Sequence, residues 1–214
     1  MQFTQGANVL TADGKKAGHV DRVVLNPKTN EVTHIVIHKG LLLSEDKVVP
    51  MNLIASADDH QVKLRANGDQ LDHLPNFQEL HYVLVNEEEL ARGSARSTLA
   101  PPSLYAYPPF MGGLPMTHAE PPYVVEIEEH IPKGTVALKE GAKVVAADGK
   151  HVGNVERVLT DAKKNRATHF LISKGILLKE KKMVPISWVD KVTEDQVHLM
   201  VRSRILNDLR DYTS

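Results

Sequence analysis

The chain has 214 residues, 42% hydrophobic and 25% charged, with no cysteine and a formal net charge of −1. The missing cysteines exclude disulfides, thiolate metal sites and cysteine nucleophiles, and the composition is that of an ordinary globular protein. No apolar run reaches the roughly 18 residues that a spanning helix needs. Met1-Gln2-Phe3-Thr4-Gln5 lacks a basic start and an apolar stretch, so neither a signal peptide nor membrane insertion is expected, and the expected location is cytoplasmic.

In chain order, Val9 and Leu10 begin a short strand and Asp13-Gly14-Lys15 turns it, because Asp bonds locally and Gly accepts positive φ. Gly18 marks a bulge or tight bend, and His19 to Leu25 reads as a strand. Asn26-Pro27-Lys28-Thr29-Asn30 is a second turn. Val32 to His38 is the clearest strand: Thr33, Ile35 and Ile37 face one way, His34, Val36 and His38 the other. Leu41-Leu42-Leu43 with Ser44-Glu45-Asp46 forms a loop. A strand enters Pro50, a helical turn follows at Met51 to Ala55, and His60 to Leu64 closes the set. Leu71, Leu74 and Phe77 recur at a spacing of three, which predicts a short helical cap, bent at Pro75.

The whole block then recurs without a gap. Gly6-Ala7 returns as Gly141-Ala142, Asp13-Gly14-Lys15 as Asp148-Gly149-Lys150, Thr33-His34 as Thr168-His169, and Val49-Pro50 as Val184-Pro185. Leu71/Leu74/Phe77 returns as Leu206/Leu209/Tyr212. Short strands between regular turns predict an all-β fold. The expected organisation is a first barrel with its cap at 1–78, a connector at 79–123, and a second barrel with a lead-in strand and cap at 124–214. The connector is acidic first (Glu87-Glu88-Glu89) and then rich in Pro, Tyr and Gly, a composition that predicts a largely irregular spacer.

Ala12-Asp13-Gly14-Lys15 with Gly18, Val20 and Val23, then Thr33-His34-Ile35-Val36 and Val48-Val49-Pro50, resembles the PRC-barrel domain. Ala147-Asp148-Gly149-Lys150, Gly153, Val155, Val158, Thr168-His169-Phe170-Leu171 and Val184-Pro185 repeat the pattern. The resemblance implies two small PRC-type β-barrels in tandem. The family is shared with the photosynthetic reaction centre H subunit and with the C-terminal half of the ribosome maturation factor RimM. The membrane helix of the former and the extra N-terminal barrel of the latter have no counterpart in this sequence, so neither role is expected to transfer.

Chemistry-bearing motifs are sparse. The 11 histidines include the repeated pair His34 and His169 but no close His-rich spacing, so no metal and no cofactor is expected. Asp13 and Asp148 fit turns, and Ser44, Ser173 and Ser187 lack a nucleophile elbow, so catalytic residues are not expected. His34, Val36, His169 and Leu171 form the candidate interface, a half-apolar face expected to lie under the other barrel, a second chain or the connector. Charge is uneven: residues 66–140 carry −7 (four bases, eleven acids) and residues 141–201 carry +4 (eleven bases, seven acids). Lys163, Lys164 and Arg166, with Lys179, Lys181 and Lys182, form candidate loops for an anionic partner. The expected function is non-catalytic binding or scaffolding through a protein partner of unknown identity, with barrel–barrel pairing inside the chain or in a homodimer. The alternatives are an RNA- or ribosome-associated factor, nucleic acid being less favoured, and a cytoplasmic accessory of a membrane electron-transfer complex.

Overall fold

The computed structural model describes residues 1–39, 45–84, 123–139, 141–161, 163–174 and 180–212. Residues 41–44 of the expected loop at 41–46 and most of the connector lie outside the described residues, while Glu45-Asp46 begin a strand and not a loop. The chain divides into two compact units, Met1–Phe77 with His130–Ser214, and Gln78–Glu129.

In the larger unit the first sheet contains β2 (Asn8–Leu10), β3 (Lys16–Leu25), β4 (Val32–Lys39), β5 (Glu45–Pro50), β6 (Ile54–Ala57) and β7 (Gln61–Leu64), after a short β1 (Gln2–Thr4). Helix α1 (Gly68–Asp72) follows. In the smaller unit β8 (Gln78–Leu84) pairs antiparallel with β9 (Tyr123–Glu129). The lead-in strand of the sequence reading is therefore β9, and its partner is β8. The chain continues with β10 (Val136–Lys139), β11 (Lys143–Val145), β12 (His151–Thr160), β13 (Ala167–Lys174), β14 (Glu180–Pro185), β15 (Val189–Val192), β16 (Gln196–Leu199) and α2 (Ser203–Asn207).

The fold is all-β with two short helical caps. Strand order is β5-β4-β3-β2-β7-β6 in one sheet and β14-β13-β12-β11-β16-β15 in the other, and each sheet holds seven strands. Both are meanders closed back by a parallel pair, β2 on β7 and β11 on β16. The terminal strands do not pair with each other, so the expected barrels are not closed. Gly18 and Gly153 each sit beside a register shift, Val9/Leu10 and Val144/Val145, and take φ of 147° and 149°. A Cβ at Gly18 would overlap the His38 carbonyl, and one at Gly153 would lie 2.8 Å from the Ser173 carbonyl oxygen. Strand and neighbour approach too closely for any side chain there. Both helices stop at matching positions, Asp72 and Asn207, although only the first is followed by a nearby proline. Pro75 therefore does not end or bend the cap.

The seventh strand of each sheet comes from the other half of the chain. β1 adds to β12, pairing Phe3 with Val158, and β10 adds to β3, pairing Leu138 with Val23. Phe3 and Leu138 are fully buried, and both belong to one apolar core that runs through both sheets. Between the two exchanges the turns meet. Val32 N–H bonds the Asn165 carbonyl and Ala167 N–H bonds the Asn30 carbonyl, each at 2.8 Å, around a Glu31–Arg166 bridge. The two bonds are equivalents of each other, since Ala167 corresponds to Val32 and Asn165 to Asn30, the mark of a pseudo-two-fold axis.

This exchange makes a prediction about fragments. Residues 1–77 and 130–214, expressed apart, each lack one strand and the cover for β3 or β12. Each fragment alone is expected to be aggregation-prone or loosely packed, and mixing is expected to give a one-to-one complex with the circular dichroism of the intact unit. Two well-folded monomers that ignore each other in gel filtration would contradict the exchange.

Candidate functional site

β4 presents two buried faces. Ile35 and Ile37 enter the main core, while Val36 joins Val24, Val48, Phe77 and Ala137 in a second, smaller cluster, with Ile131 packed against it. The face carrying Val36 is thus covered by Phe77, from the segment after α1, and by Ala137 of β10. His34 shares it, half-buried, opposite Val24 and Pro50. Its Nδ1 is buried with no hydrogen-bond partner among the described residues, and burial pushes its pKa below the ordinary 6.5. On the second sheet Leu171 is buried and His169 half-buried, but Leu159, Met183 and Tyr212 are only half-buried where Val24, Val48 and Phe77 are closed over. The two candidate faces are equivalent in position and unequal in cover.

His38 and Ser173 differ as neighbours as well as in identity. His38 Nδ1 lies 2.7 Å from Asp46 Oδ1, and its ring tilts over His19 at 5.0 Å between centroids. At the matching place on the second sheet, Lys181 ammonium donates to Glu156. Among the described residues no group of three or more His, Asp or Glu is placed to hold a metal.

The candidate basic loops separate into two kinds. Lys163 and Lys164 are exposed at the β12–β13 turn, their backbone N–H groups bonded to Asp161, and Arg166 is exposed beside them. Lys181 and Lys182 stand on β14, not in a loop. Lys182 donates to the Leu209 carbonyl at 2.8 Å and to that of Asn207 at 3.4 Å. Lys47, its equivalent, donates to the carbonyls of Asp72 and Leu74 and is almost wholly buried. Each lysine supplies a cation to the open carbonyl end of a helix, which explains its position without a partner. Lys179 lies outside the described residues.

Two turn carboxylates are likewise engaged. Asp13 accepts from the Thr11 hydroxyl and pairs with Lys15 at 3.0 Å; the Thr11 bond, ahead of Lys15, holds its pKa below the usual range. Asp148 accepts from the Ser203 hydroxyl and backbone N–H, with the same effect. The turn after β11 is thereby tied to the start of α2.

The most demanding polar groups were not singled out by sequence reasoning. Arg22 and Arg157 are buried on β3 and β12. Arg22 donates to Glu194 of the other half and lies 4.8 Å from the Phe77 ring centre. Asp21 is 3.0 Å from its Nε, an ion pair too poorly angled to count as a hydrogen bond. Arg157 donates to Gln2 and pairs with Asp59, each at 2.7 Å. The four residues form two equivalent pairs crossed between the halves. The signal was present in the sequence: an arginine repeated at the head of the apolar runs Val23-Val24-Leu25 and Val158-Leu159 needs a partner.

Comparison with known families divides the chain. Residues 5–71 match the PRC-barrel domain. Residues 138–206 match a different family, described as an uncharacterized protein conserved in bacteria (DUF2171). No curated protein matches the chain. The PRC-barrel assignment therefore stands for the first half, and the second half, which the sequence motifs also likened to that domain, matches the other family. The PRC-barrel match contains Arg22, His34 and Lys47 and ends in α1; the DUF2171 match contains Arg157, His169 and Lys182 and ends in α2.

Three expectations follow from this geometry. Glu194→Ala leaves Arg22 buried without its cross-half acceptor, and a loss of about 2 kcal/mol in urea unfolding is expected. Glu180→Ala, on the exposed end of β14, is expected to change stability by less than about 0.5 kcal/mol. The lowered pKa of His34 means that the unfolded chain takes up its proton first as pH falls. The stabilising contribution of neutral His34 is full above pH 6.5 and is lost as pH falls through the folded value. Melting temperatures measured from pH 7.5 to pH 5 should fall less steeply in His34→Leu than in the natural protein.

Proposed function

We propose that this protein is a non-catalytic binding or scaffolding module in which two PRC-type units act as one rigid body. The observation that carries the reading is the crossed pair of buried arginines together with the exchanged strands. The buried arginines hold the halves together, and Lys47, Lys182, Asp13 and Asp148 hold turns and helix ends. What remains outward is surface that differs between the halves. That pattern suits a platform that presents two different faces to partners.

The PRC-type nature of the second unit is part of this proposal. Its support is the gapless correspondence of sequence, the identical strand order, the paired glycines at φ near 148° and the paired asparagines Asn30 and Asn165 at positive φ. We place the protein in the cytoplasm; among the described residues no helix is long and apolar enough to cross a membrane. An RNA- or ribosome-associated role draws on Lys163, Lys164 and Arg166 alone, since Lys181 and Lys182 are engaged within the fold.

The test is affinity capture of the intact tagged protein from its native lysate, with and without nuclease, followed by light scattering of the purified material. A stoichiometric protein partner that survives nuclease, or a defined self-assembly, is the expected result. Capture of nucleic acid alone, lost on nuclease treatment, would overturn the reading.

A further inference from the structure

Comparing equivalent positions of the two halves isolates one edge where the second departs in a concerted way. Around α1 the first half carries Arg65, Asn67, Asp69, Gln70 and Asp72; around α2 the second carries Met200, Arg202, Arg204, Ile205 and Asn207. Two acids are lost, one arginine becomes two, and Met200 and Ile205 stand where Arg65 and Gln70 do. Met200 is 57% exposed and Ile205 46%, two of the three large hydrophobic side chains that are exposed among the described residues. The fold forces this display. Leu206 is the one residue of α2 buried in the core, so its neighbours Arg204 and Ile205 are turned outward. Met200 N–H bonds the Trp188 carbonyl at 2.9 Å, which sets Met200 beside half-buried Trp188. The Asp148–Ser203 bonds hold the β11–β12 turn against the start of α2, and Lys150 of the same turn lies 4.0 Å from Asp148.

We propose that this edge of the second half docks on an anionic lipid surface. The proposal rests on reading the protein as a binding module and names the partner of one face. Arg202 and Arg204 meet headgroup phosphates, and Met200 and Ile205 enter the shallow boundary between headgroups and acyl chains. Phosphates of nucleic acid would also suit the cations, but they give nothing to an exposed methionine and isoleucine. A protein partner would suit both kinds of side chain, but stable protein interfaces bury at least about 1,200 Å² in total, and two aliphatic side chains supply a small part of that. A bilayer needs no shaped counterpart and adds its attraction charge by charge. Asp148 accepts from Ser203 and lies 4.0 Å from the Lys150 ammonium, so the attraction rests on Arg202 and Arg204, which have no ion-pair partner among the described residues.

The full-length protein is mixed with vesicles of phosphatidylcholine alone or of phosphatidylcholine with phosphatidylglycerol, and binding is read by flotation. Binding to the anionic vesicles only is expected, weakening with salt. R202E/R204E is expected to abolish it and M200S/I205S to weaken it about tenfold at constant salt, since both the charge and the apolar terms contribute. K163E/K164E, on the opposite kind of basic feature, should retain it. All three variants change exposed side chains, and circular dichroism checks that each is folded. No binding to anionic vesicles overturns the proposal, as does binding that R202E/R204E leaves intact or that K163E/K164E abolishes. Binding of RNA in preference to vesicles, indifferent to M200S/I205S, would reassign the edge to nucleic acid. If vesicles fail while a protein partner is captured from lysate, this proposal falls and the binding-module reading stands.

Discussion

The exchange of one short strand between halves is the constraint on which the rest of the structure depends. β1 and β10 are only three and four residues long, too short to be stable by themselves, yet each fills the last place of a seven-stranded sheet and plants a fully buried side chain, Phe3 or Leu138, in the core. Each half of roughly 60 to 70 residues would be marginal alone. Exchange lets the two share one continuous core. It also explains why an arginine can stand in the middle of β3 and β12. The position faces the other half, where Glu194 or Asp59 waits in a turn held in place by the same exchange. A buried cation is tolerable only where its acceptor is fixed, and here the acceptor is fixed by the strand next to it: Lys139 of β10 bonds the Glu194 carbonyl at 2.7 Å.

With the halves locked, the positions they hold in common divide from those they do not. Gly18 and Gly153, Lys47 and Lys182, Arg22 and Arg157, and Asn30 and Asn165 are common, and each answers a backbone or burial requirement that recurs because the fold recurs. The differences lie outward. Asp46 opposes His38 where Lys181 meets Glu156, and the α2 edge exchanges acids and amides for arginines and aliphatics. A residue repeated in both halves is thus weak evidence of function in this chain, because structure already demands it. Divergence at equivalent positions is the better guide.

The same division explains what could be read from sequence. Turns such as Asp13-Gly14-Lys15, the alternation of Val32 to His38, and the caps at Leu71 and Leu206 are local, and local chemistry announces them. The expected strands and caps are found, and the all-β class with them. What could not be read is long-range. Three residues at the N-terminus show no periodicity, and their partner in β12 lies more than 150 residues away. Barrels were expected from the resemblance to the PRC-barrel domain, but pairing of the terminal strands is a matter of curvature that no spacing encodes. Lys181 and Lys182 looked like loop cations because two adjacent lysines usually are solvated. Their role as an ion-pair donor and a helix-end cap requires knowing that β14 runs past α2. The face of His34 and Val36 was legible as half-apolar, while the identity of its cover, Phe77 and Ala137, was not.

A fused pair has a freedom that a symmetric homodimer lacks. In a homodimer every substitution appears twice, so a patch made apolar and basic on one subunit appears on both and must be tolerated on both. Here the two-fold relation is kept at the axis, where Glu31 meets Arg166 and the flanking N–H groups bond in matched pairs, and is released at the periphery. Glu31 and Arg166 are unlike residues at one dyad-related position, which a homodimer could not place there, so even at the axis the two-fold relation is one of backbone and not of side chains. From there outward, one half can keep its face closed under Phe77, Ile131 and Ala137 while the other leaves Leu159, Met183 and Tyr212 partly open. Joining the copies in one chain separates the demand for a shared core from the demand for a surface, and only the first demand is two-fold.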